Sequence, residues 1–322
     1  MDLDVVTLGE AMLMLVAEQP GAIEDVQRFH KRTAGAETNV AIGLARLGLK
    51  VGWASRLGDD SMARFLLREL QAEGVDCSEV RCLAGQRTGF QFKGRVVDGS
   101  DPPVEYHRRD SAASRMDADD IDARWLLRAR HLHVTGVFPA LGAATLAATR
   151  KAIATMDAAG RSLSFDPNLR PSLWPSAEAM RSTLNALAGH CHWVLPGLEE
   201  GRILTGHSRP EGIAAFYRER GARLVVVKLG ADGAYFDGGV DGDGGRGWVP
   251  ACPVDRVVDT VGAGDGFAVG VISALLEGRP VAEAVWRGAW IGARAVQVPG
   301  DTEGLPTRDQ LAAMAELPEL PV

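Results

Sequence analysis

Short apolar runs with strand character recur along this chain, separated by segments whose apolar residues follow a helical period. That alternation restricts the fold more than any single motif. The runs are Val5–Leu8, Val51–Ser55, His131–Thr135, Ser162–Phe165, His192–Leu195 and Leu224–Val227. Between them, Val40, Leu44 and Leu47 share one helix face, and Phe65, Leu66 and Leu70 mark a second helix that stops at Gly74; Leu146–Met156 and Ile213–Tyr217 have the same character. Strands joined through helices pair in parallel, and the crossover helices cover both faces of the sheet. The pattern predicts an α/β fold with a mainly parallel sheet.

Composition sets the scale. With 322 residues, 46% of them apolar and 24% charged, the chain can bury a large core, which excludes intrinsic disorder. One main domain over residues 1–322 is expected. A net charge of −7 excludes a generally basic surface, so nucleic acid is an unexpected partner. The acidic start Met1-Asp2-Leu3-Asp4 runs straight into an apolar strand, the reverse of an export signal. The stretch Val134–Thr149 is broken by Pro139 and Gly142 and falls short of the ~20 apolar residues that span a bilayer. Cys77, Cys82, Cys191 and Cys252 show no paired spacing, so no disulfide scaffold is expected. A soluble protein of a reducing cytoplasm fits these features.

Two segments break the alternation. Thr88–Val97, the turn-rich Asp98–Pro103 and Val104–Arg109 read as a β-hairpin with no helix between its strands, suited to be a lid. A second hairpin surrounds Asp237–Gly247, where Gly and Asp dominate.

The stretch richest in chemistry is Asp259-Thr260-Val261-Gly262-Ala263-Gly264-Asp265-Gly266-Phe267, followed by an apolar helical run. Glycines 262 and 264 permit a tight turn that exposes successive N–H groups where a helix begins, so an anion can sit there. Asp265, in the first helical turn, is expected to be held as a carboxylate by the same dipole and to accept a proton from a nearby hydroxyl. Spacing alone does not separate this reading from a glycine-bearing helix start chosen for packing.

DTVGAGDGF resembles the C-terminal signature of the ribokinase-like (PfkB) sugar kinases. Other segments follow in that family's order: Gly9-Glu10, then Ala34–Ala41 (AGAETNVA), Arg56–Asp60 (RLGDD), Asp166–Arg170 (DPNLR) and Val227–Ala234 (VKLGADGA). The resemblance covers essentially the whole chain. It implies a Rossmann-like, ribokinase-like α/β domain carrying a small β-lid formed by about residues 12–32 and 88–110. It also implies ATP-dependent phosphorylation of a sugar with Mg2+ and, as a further expectation, K+.

Within the family, AGAETNVA, Glu105–Ser114 (EYHRRDSAAS), Asp166–Trp174 (DPNLRPSLW) and Gly300–Pro306 (GDTEGLP) are similar to the branch acting on keto sugar acids. The implied substrate is 2-keto-3-deoxygluconate, with 2-ketogluconate as the alternative. A silent sugar-binding sensor on the same fold is the alternative of a different class, against which the presence of Asp265 argues.

By resemblance, Asp265 is the base, and the N–H groups of Gly262, Ala263 and Gly264 hold the transferring phosphoryl. Gly35 and Asn39 would contact the sugar, or else serve turn geometry and a helix cap. Tyr106 and Arg108, two apart on one strand face, and Arg170, at a strand end, would meet the acid. Asp301 is a further substrate contact, and Gln91 stands where an amide would meet an extra hydroxyl. Lys228, Gly230 and Gly233 fall on the nucleotide side. Glu200, with Gly197 where the family carries asparagine, would reach Mg2+ through water, and Asp259 would organise a monovalent cation or cap the turn.

Other motifs carry less. Gly242–Gly247 satisfies GxGxxG but is followed by Trp248-Val249-Pro250 rather than a helix, which makes it a hairpin turn. His190-Cys191-His192 lacks a second ligand pair and reads as packing. Trp286 and Trp290 share a helix face and read as core or dimer packing. Exposed lid edges suggest a homodimer or higher homo-oligomer.

Overall fold

The computed structural model describes residues 2–96, 102–241 and 244–314. Its strands are β1 Leu3–Leu8, β2 Met12–Ala17, β3 Phe29–Ala34, β4 Val51–Gly58, β5 Val80–Leu83, β6 Phe90–Lys93, β7 Val104–His107, β8 Ala129–Thr135, β9 Ser162–Asp166, β10 Trp193–Val194, β11 Leu224–Lys228, β12 Ala234–Gly238 and β13 Arg246–Val249. They form a nine-stranded sheet in the order β13-β12-β11-β10-β9-β8-β1-β4-β5 and a four-stranded sheet in the order β3-β2-β6-β7.

From β11 to β5 every pairing in the large sheet is parallel, and only β12 and β13 run antiparallel. Strand β11 shows why both faces are covered. Leu224 and Val226 enter one core, Val225 and Val227 the other, as the two-residue side-chain period of a strand requires. Helices Ala36–Arg46, Ser61–Ala72, Ala263–Leu276 and Val281–Ala295 supply the first core. Helices Ala143–Ala158, Ala177–Ala188 and Pro210–Arg218 supply the second. The mainly parallel α/β expectation therefore holds.

Several boundaries move. The His192–Leu195 run shortens to Trp193–Val194; beside it the His192 ring, through Nδ1, takes the Leu163 N–H at 3.0 Å that a strand carbonyl would otherwise accept. His190-Cys191-His192 lies in a turn and bend rather than on a strand, with Cys191 buried. Thr88–Val97 contributes only Phe90–Lys93, paired antiparallel with Val104–His107; Val97 and the turn residues 98–101 lie outside the described residues. Gly242 and Asp243, in the second hairpin and the GxGxxG match, do so too. Trp286 is buried in the first core and Trp290 packs against it.

The order of the large sheet reverses beside β1: the chain goes from β1 outward to β4 and β5, then returns at β8 on the other flank. Loops leaving the C-terminal ends of β1 and β8 therefore diverge, opening a crevice there. The four-stranded sheet stands beside it. On β6, Gln91 and Lys93 are buried while Phe90 and Phe92 lie on the opposite face, where they form ring contacts with His107 and Phe29. Among the described residues, no helix is long and apolar enough to cross a membrane, and all four cysteines are unpaired.

Candidate active site

Helix Ala263–Leu276 is buried along nearly its whole length, so its N-terminus is fixed by packing. Gly262, its N-cap, has φ +84°, and a Cβ there would lie 2.6 Å from the Asp301 main-chain oxygen. Only glycine makes this bend at no cost. The first bond of the helical ladder runs from Gly266 N–H to Gly262 O at 2.8 Å. Ahead of it, Ala263 N–H makes one long bond to Thr260 O at 3.4 Å, and the remaining first-turn N–H groups have no carbonyl one turn earlier to bond, which suits an anion.

Asp265 sits in that first turn and is buried. Asn39 Nδ2 donates to its Oδ2 at 2.8 Å, and Asn168 Nδ2 donates to its Oδ1 at 3.2 Å. Burial pushes its carboxyl up to about 8; the Asn39 bond pulls downward, the charges of Asp166 and Asp301 push upward, and Lys228 opposes them. This corrects the expectation that the helix dipole holds Asp265 ionised. Desolvation is the largest influence on the carboxyl, and the group is a stronger base once it has lost its proton.

Asn39 emerges from the first turn of helix Ala36–Arg46, whose N-cap is Gly35 at φ +150°. A Cβ on Gly35 would lie 2.6 Å from Glu10 O, so the residue lets the loop after β1 meet this helix. Asn39 is therefore not a cap. Its Oδ1 is buried and has no partner among the described residues.

The loop after β9 carries Asp166, Asn168 and Arg170. Asn168 adopts φ +40°, and Arg170 Nη1 donates to Leu169 O at 2.9 Å. Asp166 Oδ2 pairs with Lys228 Nζ, at the end of β11, at 2.7 Å. Burial opposes the Lys228 charge, yet Asp166, Glu200 and Asp265 outweigh it and raise its pKa. Glu200 accepts the N–H groups of Leu169 at 2.8 Å and Gly197 at 2.7 Å, the latter reaching back to the N-cap of helix Leu198–Thr205.

From the four-stranded sheet, Arg108 donates through Nε to Glu10 Oε2 at 2.7 Å, and Ser111 donates its hydroxyl to Glu10 Oε1. The Arg108 guanidinium lies 5.8 Å from the Tyr106 ring centre, so the two share a side as their spacing predicts. Tyr106 is 48% exposed. Lys93 Nζ reaches Asp259 Oδ2 at 2.6 Å and Asp301 Oδ1 at 3.0 Å. Burial opposes the Lys93 charge, but these carboxylates outweigh it and raise its pKa.

These groups line one cleft of about 490 Å³, which includes Gly35, Asn39, Tyr106, Arg108, Arg170, Glu200, Lys228, Gly262, Gly264, Asp265 and Asp301. Ala263 begins the helix at its edge. Gly230 and Gly233 form the turn between β11 and β12, outside the cleft wall. Asp259 faces a smaller cavity of about 150 Å³ on the other side of Lys93. Glu10, Lys93, Asp166 and Asn168 were not singled out by the sequence reading. Asn168 and Asp166 lie inside its DPNLR segment and Glu10 inside Gly9-Glu10, whereas Lys93 left no signal of its own.

Among the described residues, no group of three or more His, Cys, Asp or Glu is arranged to hold a metal ion unaided. Mg2+ keeps several waters and is bound largely by substrate phosphates, and the carboxylates of Glu200 and Asp166 in the cleft wall fit that mode of binding. A monovalent metal ion at Asp259 does not fit. Its Oδ1 accepts Val261 N–H at 3.1 Å, and its Oδ2 accepts Gly300 N–H at 3.3 Å and the Lys93 ammonium.

A helix N-terminus beside a buried carboxylate, at the C-terminal edge of a parallel sheet, is the equipment of a phosphoryl-transfer enzyme. The chain matches the model of the pfkB family carbohydrate kinases over residues 2–308 and belongs to that family. It is 50% identical to a 2-dehydro-3-deoxygluconokinase of Bacillus subtilis (strain 168), covering 97% of this chain and 95% of the relative. Among solved structures, a PfkB protein from Polaromonas sp. JS666 superposes with TM-score 0.89 at 66% identity, covering 97% of this chain and 99% of that one. An E. coli protein provisionally described as ribokinase II, in complex with ATP and Mg2+, superposes with TM-score 0.86 at 26% identity, covering 97% and 98%.

Proposed function

We propose that this kinase transfers the γ-phosphoryl group of ATP to a terminal hydroxyl of 2-keto-3-deoxygluconate, giving the 6-phosphate. The observation that carries the reaction is the placement of Asp265 in the first turn of a buried helix, held by Asn39 and Asn168 and facing the cleft. Half identity over nearly full length to a 2-dehydro-3-deoxygluconokinase supports the substrate.

The roles follow from chemistry. Asp265 takes the proton of the attacking hydroxyl, and N–H groups of Gly262, Ala263 and Gly264 receive the oxygens of the phosphoryl in flight. Lys228, restrained by Asp166, places a positive charge beside that path, with Gly230 and Gly233 shaping the nucleotide side. Arg108 and Arg170 offer donors to the sugar's carboxylate, Tyr106 its hydroxyl, Asn39 its unpartnered Oδ1, and Gly35 close backbone approach. Mg2+, when bound with ATP, supplies charge neutralisation across the phosphates, with Glu200 reaching it through water.

The four-stranded sheet of residues 12–34 and 90–107 acts as the lid, and the ring cluster on its outer face is the surface a second copy would cover. A single domain, a homodimer and a cytoplasmic location complete the reading, with the unpaired cysteines supporting the last. The buried amide of Gln91 in the cleft wall favours 2-ketogluconate as the second reading, since it would meet one more hydroxyl. An ADP-release assay across 2-keto-3-deoxygluconate, 2-ketogluconate, ribose and fructose tests the choice. The highest kcat/KM is expected on 2-keto-3-deoxygluconate, and comparable turnover of ribose would overturn the sugar-acid assignment.

A further inference from the structure

The Lys93 side chain is 2% exposed and ends between two carboxylates, Asp259 and Asp301, each 6% exposed. All three are remote in sequence, with 208 positions separating Lys93 from Asp301. Burying an ammonium costs several kcal/mol unless it is paired, so its place here is built rather than incidental.

The two acids serve the anion-binding turn. Asp259 fixes Val261 N–H and Gly300 N–H on either side of it. Asp301 presses its main-chain oxygen against Gly262, close enough to exclude any side chain there. Without a cation between them, two buried carboxylates would repel each other directly beneath the phosphoryl path. Lys93 arrives from β6 of the four-stranded sheet, so one side chain both screens the two carboxylates from each other and ties that sheet to the turn.

We propose that Lys93 is a built-in cation for the phosphoryl-transfer turn, standing at Asp259 in place of a monovalent metal ion, and that turnover is therefore independent of potassium. The inference rests on the kinase reading. Lys93 is a positioning residue: it acts through Asp259 and Asp301 on the N–H groups that receive the phosphoryl.

The experiment compares wild type, Lys93→Met and Lys93→Arg in sodium and in potassium buffers, by ATP-dependent turnover of 2-keto-3-deoxygluconate and by thermal melting. Wild type is expected to change less than twofold in kcat between the two ions, by the proposal's own logic, and to keep its Tm. Lys93→Met is expected to lose about 100-fold in kcat, the scale of a displaced oxyanion donor, with a smaller change in sugar KM. Potassium or ammonium should restore part of that loss saturably and raise the variant's Tm. Lys93→Arg keeps the charge and guards against a variant that fails to fold; it should retain more activity than Lys93→Met and no potassium response. Strong potassium activation of wild type, or near-normal kcat in Lys93→Met, overturns the proposal. If no sugar is turned over by wild type, the kinase reading fails by itself. The melting data then decide on Lys93: a potassium-induced rise confined to Lys93→Met supports it, and a rise in wild type refutes it.

Discussion

Asn39 donates from Nδ2 to Oδ2 of Asp265 at 2.8 Å, joining the first turns of two helices 226 positions apart in sequence. One helix is fixed by the loop that follows the first strand, the other by the glycine turn ahead of it. Two distant parts of the chain thus meet at one carboxylate.

That carboxylate should impose an acid limb on the rate. With burial pushing Asp265 up to about 8, kcat/KM is expected to rise with pH through that value, because only the ionised form accepts the proton. Stability runs the other way. The folded pKa lies above the unfolded value of about 4, so the contribution is fully present below pH ~4 and is lost as pH rises through about 8. Asp265→Asn removes the titration. It should lose about 1000-fold or more in kcat, keep sugar binding, and melt higher than wild type at pH 8 but not at pH 4. A kcat near wild type would remove Asp265 from the mechanism.

Arg108 and Glu10 form a buried ion pair, with side chains 10% and 1% exposed. Arg108→Ala leaves the Glu10 charge with only the Ser111 hydroxyl and should cost about 3 kcal/mol of stability in denaturant unfolding. It should also raise KM for a keto sugar acid about 10- to 100-fold, the worth of a charged hydrogen bond. Combining Glu10→Gln with Arg108→Met should recover most of the stability and none of the KM. Recovery of both would assign the pair to structure alone.

Asn168 allows backbone and side chain to be separated, since it holds φ +40° and also donates to Asp265 at 3.2 Å. Asn168→Gly keeps the backbone and loses the bond; kcat should fall about tenfold with Tm nearly unchanged. Asn168→Val loses both, and the left-handed conformation should add about 1–2 kcal/mol of destabilisation. Equal kcat in Asn168→Gly and wild type would reduce the Asn168 bond to a bystander.

What could be seen in the sequence was what local rules write. Strand β11 and helix Ala263–Leu276 announce themselves by period and by glycines at a helix start, and the parallel sheet follows from their alternation. Lys93 could not be seen, because a lysine in a polar hairpin looks solvated until the fold brings Asp259 and Asp301 to it. The protonation of Asp265 was misjudged for the same reason. The dipole is local and legible, whereas the burial of the carboxyl and the approach of the Asp166 and Asp301 charges are assembled only in the folded chain. The first strand of the hairpin was drawn too long, since composition marks the hairpin but the pairing of Phe90–Lys93 with Val104–His107 sets where it ends.

Gly262 and Gly278 bracket one helix, both at positive φ, and together they isolate what the turn contributes to catalysis. A Cβ at Gly262 would meet the Asp301 main chain at 2.6 Å, whereas one at Gly278 meets nothing within 4 Å. Gly262→Ala must therefore push the turn away from Asp301 and misdirect its N–H groups. Gly278→Ala suffers only the backbone penalty, about 1–2 kcal/mol. The expected result is a loss of about 100-fold in kcat for Gly262→Ala and an unchanged kcat for Gly278→Ala despite a lower Tm. Equal kcat in the two variants, measured well below either melting transition, would mean that the bend at Gly262 serves helix packing and that the phosphoryl is held elsewhere.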